Sequence, residues 1–236
     1  MMWLFRKTVS LKDCGFFKVF TDYHSHILPG VDDGVKTLEE SLELLEYYAE
    51  IGIKEVWFTP HIMEDSPNTT EHLQETYHKL LTAYHGSVTL HLGAEYMLDN
   101  LFGERLEKDD LLPLSGKSEY LLVETSYFNP PVSMYDMLEQ IKAKGYYSLL
   151  AHPERYDYMD EEDYRKLKRK GVKFQLNLSS VTGLYGEVVR KKSEWLLKNN
   201  LYDCTGTDVH EISRLKTSME IKLKTASIYI QRIGLI

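Results

Sequence analysis

Apolar residues are distributed along this chain in two alternating kinds of stretch. Short segments rich in apolar residues occupy residues 19–22, 55–59, 88–94, 120–124, 148–151, 172–177 and 202–205, and their length and content predict strands. Between them the apolar residues recur at helical spacing. Leu38, Leu42, Leu45 and Ala49 form one such stripe, opened by the capping box Thr37-Leu38-Glu39-Glu40 and closed by Gly52. Further helices are predicted from a Thr70 cap to about residue 84, from a Ser133 cap to near Gly145, over 161–170 and around 187–199. Seven strands, most followed by a helix, make the pattern of parallel βα units, one short of the eight in an ordinary (β/α) barrel. No repeat, low-complexity tract or linker interrupts the series. One domain is expected over residues 19–236, with residues 1–18 as an N-terminal arm packed on it.

The polar residues add chemistry to this frame. His24 and His26 follow the first predicted strand, His61 the second, and Glu95 closes the third. Glu124 closes the fourth, His152 ends the fifth, and Asp208 and His210 follow the seventh. All lie at carboxyl ends of strands, the face on which βα barrels build active sites. A lone His-x-His pair is a weak signal, and Asp32-Asp33-Gly34 alone reads as a turn. Unpaired buried charges at so many strand ends would be costly, however, so a shared partner is implied. Imidazoles and carboxylates without cysteine suit Mn²⁺, Fe²⁺ or Zn²⁺. So many candidate ligands exceed the needs of one ion, so two or three are expected, with Glu95 suited to bridging ions about 3.5–4 Å apart. His72, His78, His85 and His91 fall at helical, turn or mid-strand positions and are read as structural.

Composition narrows the classes. The 236 residues are 43% hydrophobic and 27% charged, ordinary for a globular enzyme. A net charge of −8 argues against a nucleic-acid partner. Cys14 and Cys204 have no CxxC partner and neither opens a Cys-x5-Arg loop, which excludes a disulfide framework and the cysteine-nucleophile phosphatase mechanism. Residues 1–20 are interrupted by charge and lack a signal-peptide core, and no segment reaches membrane-spanning length, so a cytoplasmic protein is expected.

The motifs together resemble the PHP (polymerase and histidinol phosphatase) superfamily. They are His24-x-His26, Asp33 in Asp-Asp-Gly, Thr-Pro-His61, Gly-Ala-Glu95, Glu124, Ala-His152-Pro-Glu-Arg155 and Thr-Asp208-x-His210. The run from His24 through Leu-Pro-Gly-Val-Asp-Asp-Gly to Ser41 is more narrowly similar to the capsule-type bacterial protein-tyrosine phosphatases. The resemblance covers about residues 20–215. It implies a distorted (β/α)7 TIM-like barrel and a three-metal site, usually manganese. It implies that His24, His26, Glu95 and Asp208 hold one ion, that Asp33, His61 and Glu95 address a second region, and that Glu124, His152 and His210 complete the cluster. It also implies Arg155 and Arg214 as substrate-binding arginines, the latter at a spacing that departs from the family pattern by about one residue.

The implied reaction is phosphotyrosine hydrolysis without a phosphoenzyme. Metal coordination would supply hydroxide from water for in-line attack, while Arg155 holds the phosphoryl oxygens and Asp208 or a neighbouring histidine handles protons. The implied substrate is the tyrosine-rich tail of a cognate membrane tyrosine kinase controlling polysaccharide export. Tyr127, Phe128, Tyr156, Tyr158 and Tyr185, in loops after strands, are candidates for an aromatic rim. Three alternatives stay open: a histidinol-phosphate-type small-molecule phosphatase or phosphodiesterase, an amidohydrolase-type barrel, and a non-catalytic module retaining the fold. Glu124 stands where the amidohydrolase barrel would place a bridging lysine. Oligomeric state is left open.

Overall fold

Burial on both faces explains why the apolar runs at 121–123 and 149–151 are solid rather than alternating. The computed structural model describes residues 8–115, 119–223 and 233. Its strands are β1 (Val9–Ser10), β2 (Thr21–Asp22), β3 (Glu55–Phe58), β4 (His61–Ile62), β5 (Thr89–Leu92) and β6 (Glu95–Met97). They continue with β7 (Leu114–Ser115), β8 (Glu119–Glu124), β9 (Tyr147–Leu150), β10 (Lys173–Asn177), β11 (Cys204–Gly206) and β12 (Lys222–Leu223). The helices are α1 (Leu38–Ile51), α2 (Thr70–Ala83), α3 (Asn100–Lys108), α4 (Met134–Ala143), α5 (Glu161–Arg169), α6 (Glu187–Lys198) and α7 (Ile212–Glu220).

One sheet runs β11-β10-β9-β8-β6-β4, all parallel, with β7 antiparallel on β8. A second, β2-β3-β5, is also parallel. Leu121 and Val123 of β8 join the main core with the helices, whereas Leu122 meets Tyr23, Trp57, Leu149 and Cys204 in a smaller apolar cluster. The protein is thus α/β, with a parallel sheet between two apolar layers. Beyond β2, backbone bonds reach β11 and the loop after it: Tyr23 N donates to Thr205 O (3.1 Å), Asp208 N to His24 O (2.8 Å) and His26 N to Val209 O (3.0 Å). Leu11, Phe16, Phe17 and Phe20 are buried in the main core, and β1 pairs with β12. Among the described residues no helix is long and apolar enough to cross a membrane.

Several expectations are corrected. The run at 88–94 is two strands, because the chain leaves the small sheet at Gly93-Ala94 and enters the large one, so Glu95 opens β6 instead of closing a strand. Gly93 is tight there: a Cβ would lie 3.1 Å from Leu114 Cδ1. The α2 cap is Thr69, whose hydroxyl accepts from His72 N, not Thr70. Ser133 precedes α4 but makes no capping hydrogen bond. The Thr37–Glu40 capping box is present with both bonds. Helices α3 and α7 were not expected. Each is nine residues long, and α3 carries Gly103 in its interior, which lowers its intrinsic propensity.

Candidate metal centre

The site is assembled from backbone ties upward. Asp22, at the end of β2, is wholly buried. Its carboxylate accepts from His24 N (3.2 Å), Thr207 N (2.8 Å), Thr207 Oγ1 (2.7 Å) and the Tyr48 hydroxyl of α1 (2.5 Å). The loops bearing His24 and Asp208 are thereby fastened to one side chain. Burial pushes the Asp22 carboxyl up to about 6, although these hydrogen bonds pull the other way.

The tautomers of the two leading histidines follow from their outer partners. Gln175 Oε1 accepts from His152 N (3.1 Å) while its Nε2 donates to Leu176 O (2.6 Å), which fixes the amide orientation. The same oxygen faces His24 Nδ1 at 3.1 Å, so Nδ1 carries a proton and Nε2 is the nitrogen that would give its lone pair to a cation in exchange for a proton. Likewise Asp32 Oδ2 accepts from His26 Nδ1 at 2.8 Å, which leaves His26 Nε2 as the nitrogen turned to the cluster. The two Nε2 atoms lie 3.1 Å apart. Two imidazole lone pairs at that separation suit a shared cation.

Glu95 stands at the centre, with no exposure. Its Oε2 is 3.0 Å from His24 Nε2, 3.3 Å from His26 Nε2 and 3.1 Å from His61 Nδ1, and its Oε1 is 3.2 Å from His152 Nε2. Yet neither Glu95 oxygen, nor His61 Nδ1, has a hydrogen-bond partner of acceptable geometry. Donor atoms of four rings converge on one carboxylate without bonding to it, as a ligand set does around a metal. Glu124 Oε1 adds a contact 3.2 Å from His61 Nδ1. Asp208 Oδ1 lies 3.4 and 3.3 Å from His24 and His26 Nε2. Asp33 Oδ1 lies 3.5 Å from His61 Nε2 and 3.2 Å from His210 Nε2.

Among the described residues, four groups of potential ligand atoms result, each within 4.8 Å: His24-His26-Glu95, His24-His152-Asp208, His61-Glu95-Glu124 and His26-Asp33-His61-His210. Every histidine and carboxylate singled out as a ligand in the sequence falls in one of them. The grouping differs in part from expectation: Asp33 meets His26 and His210 as well as His61, but not Glu95, and Asp208 groups with His24 and His152. Burial opposes the charged form of His24, but Glu95 and Asp208 outweigh it and lift the ring to about 9. Burial likewise disfavours ionised Glu95 and Asp208, yet the surrounding imidazoles hold both well below the usual carboxylate range. His152 (φ 33°) and Asp208 (φ 52°) occupy the left-handed region, local strain of the kind concentrated at functional sites.

Arg155 Nη1 donates to Asp208 Oδ2 (2.7 Å), which also accepts from Asn177 Nδ2 (2.7 Å). Arg214 is exposed and borders a pocket shared with Tyr185, Asp208 and His210. Of the aromatic rim, Tyr127 and Tyr185 face Arg155 and Phe128 is 70% exposed, but Tyr156 is fully buried and packs the core instead. Tyr158 hydrogen-bonds Thr125 Oγ1 at 2.6 Å. His91 stacks on Trp57 and meets Glu55, away from the cluster. Asp22, Tyr48, Gln175 and Asn177 were missed in the sequence, and Asp32 was read only as part of a turn. A signal existed for Gln175 and Asn177: they continue the polar alternation from Lys173, yet unlike Lys173 both are fully buried.

Residues 20–233 match the family model for capsular polysaccharide synthesis, CpsB/CapC. The chain belongs to the CpsB/CapC family. Among its relatives is the tyrosine-protein phosphatase YwqE of Bacillus subtilis, 27% identical over 199 residues, covering 81% of this chain and 77% of that protein. The tyrosine-protein phosphatase CpsB of Streptococcus pneumoniae is 31% identical over 212 residues, covering 81% and 83%. A structure from the crystallographic description of YwqE and CpsB as metal-dependent tyrosine phosphatases superimposes with a TM-score of 0.76 at 25% identity, over 89% of this chain and 85% of that one. Histidinol phosphate phosphatase of Lactococcus lactis shares the fold, with a TM-score of 0.54 at 17% identity, over 92% and 94%.

Proposed function

We propose that this CpsB/CapC member is a metal-dependent protein-tyrosine phosphatase. The observation that carries the reading is the buried Glu95 carboxylate, ringed at 3.0–3.3 Å by nitrogens of His24, His26, His61 and His152 with which it makes no hydrogen bond. The donor set fits divalent cations: His24, His26, Asp33, His61, Glu95, Glu124, His152, Asp208 and His210 would hold three, with manganese preferred and iron or zinc as alternatives. When bound, they supply Lewis acidity at the phosphoryl oxygens and acidify the attacking water.

The chain's own residues supply the remainder. Asp208, held ionised, orients Arg155 and is itself oriented by Asn177. Arg155 can offer further N–H groups to phosphoryl oxygens, a charge-assisted contact. Arg214, at the rim of the adjoining pocket, is placed to supply a second cation. Gln175 and Asp32 hold His24 and His26 in their ligating tautomers.

The two sheets are read as one distorted (β/α)7 barrel, supported by the backbone bonds from Tyr23, His24 and His26 to the 205–209 segment. Residues 8–18 are read as part of the expected N-terminal arm, supported by the burial of Leu11, Phe16 and Phe17, and residues 1–7 lie outside the described residues. The substrate is taken to be phosphotyrosine in the tail of a cognate membrane tyrosine kinase of polysaccharide export, met in the cytoplasm. EDTA-stripped protein should lose turnover of p-nitrophenyl phosphate and of a phosphotyrosine peptide, and Mn²⁺ should restore both. Turnover surviving EDTA, or surviving His24→Ala with His26→Ala, would sink the metal mechanism. A strong preference for histidinol phosphate over the peptide would turn the reading to a small-molecule phosphatase.

A further inference from the structure

Arg155 is held by more than its ion pair. Besides donating to Asp208, its guanidinium carbon lies over two ring faces, Tyr127 at 4.6 Å and Tyr185 at 4.5 Å. Neither ring stands alone. Tyr127 stacks at 6.0 Å on the fully buried Tyr156, and the Tyr185 hydroxyl meets Asn177 Nδ2 at 3.4 Å. Arg214 also lies over the Tyr185 ring, at 5.8 Å.

A guanidinium beside bound divalent cations faces a physical difficulty. The cations repel it, and a long, rotamer-rich side chain gains entropy by swinging into water. Asp208 offsets this only in part, because its Oδ1 is turned toward His24 and His26 and its Oδ2 is shared with Asn177. A ring face attracts a cation through its quadrupole without adding charge and without consuming an N–H donor. Two such faces keep the guanidinium at the cluster's edge and leave donors beyond Nη1 for a ligand.

We propose that Tyr127 and Tyr185 are positioning residues, an aromatic clamp that presets Arg155 for the phosphoryl group, with Tyr185 also steadying Arg214. The inference rests on the reading of Arg155 as a phosphate-binding group. A preset cation strengthens binding of substrate and transition state alike, so the clamp acts on KM more than on kcat.

The test is steady-state kinetics on p-nitrophenyl phosphate, with competitive inhibition by inorganic phosphate, on manganese-loaded wild type, Tyr185→Leu, Tyr127→Leu, Tyr185→Phe and Arg155→Ala. Metal content and melting temperature are measured alongside. Each leucine variant is expected to raise KM and the phosphate inhibition constant about 3–30-fold, with kcat within about twofold and metal content unchanged. Tyr185→Phe, which keeps the ring face, should restore KM to within about twofold of wild type. Equal losses in Tyr185→Phe and Tyr185→Leu would assign the effect to the hydroxyl's contact with Asn177 and overturn the clamp. Wild-type constants in both leucine variants, with Arg155→Ala impaired, would also overturn it while leaving Arg155 as the phosphate group. Unchanged constants in Arg155→Ala would remove that underlying reading, and the clamp with it. Should Tyr127→Leu fail to fold, the Tyr185 pair decides.

Discussion

Asp32 does its work one bond away from the proposed chemistry. Its Oδ2 accepts from His26 Nδ1 (2.8 Å) and His61 N (3.1 Å), and its Oδ1 from Gly34 N (2.9 Å). Burial disfavours its ionised form, but His26 beside it holds the carboxyl well below the usual range. Asp32→Ala should therefore weaken metal affinity about 10–100-fold with the fold retained, measured by chelator competition. Asp22 gives a pH signature instead. Its folded carboxyl titrates near 6 against 3.8 for the ordinary value. As pH rises past the lower value, the unfolded chain releases this proton while the folded chain keeps it until about 6. The associated stability is thus full below about pH 4 and is lost by about pH 6. The difference is about 3 kcal/mol. Metal-free wild type should lose that much relative to Asp22→Asn across this window in urea titrations, and parallel pH curves for the two proteins would refute the assignment. At this scale the candidate ligands could be singled out because most belong to short motifs beside predicted strand ends. Tyr48 and Gln175 could not be, since their roles depend on partners far away in sequence, Asp22 and His24, which no local pattern announces.

At the scale of elements, local signals held where they were strong. The Thr37–Glu40 box satisfies backbone donors at both Thr37 and Glu40, and Thr37→Ala should cost about 1 kcal/mol, read as a lower urea midpoint at unchanged slope. The long, periodic α1, α2 and α6 were legible for that reason, while α5, only nine residues long, was marked by its charged run and the stop at Gly171. The split of β5 from β6 was not legible, because a chain that changes sheets at Gly93-Ala94 keeps its apolar run unbroken. Nor was the break between β3 and β4 at Pro60, a residue that cannot donate to a ladder. Both breaks lie beside the site: the first sets Glu95 at the start of β6, directly beside His61 in the β4–β6 register.

For the whole molecule, the buried cluster couples cation binding to stability. Removing cations leaves Glu95, Glu124 and Asp208 buried among imidazoles, and a ligand bound only by the folded state stabilises it by mass action. At cation concentrations about 100–1,000 times the dissociation constant this is about 3–4 kcal/mol, or about 6–16 °C in melting temperature for a chain of this size. EDTA should lower the melting temperature by that order and Mn²⁺ should restore it, while no change would show that the cluster holds no ion.

The Asp22 carboxylate joins Thr207 across 185 positions of sequence, and that span bears on biosynthesis. While the C-terminal part of the chain is still inside the ribosome, the emerging polypeptide displays His24 and His26 but neither Asp208 nor His210. The Asp22 carboxylate then lacks the partners that pin the first loop to the last. A nascent chain stalled before β11 holds the residues of only two of the four ligand groups, His24-His26-Glu95 and His61-Glu95-Glu124, with the first loop still unpinned, and should show no phosphatase activity.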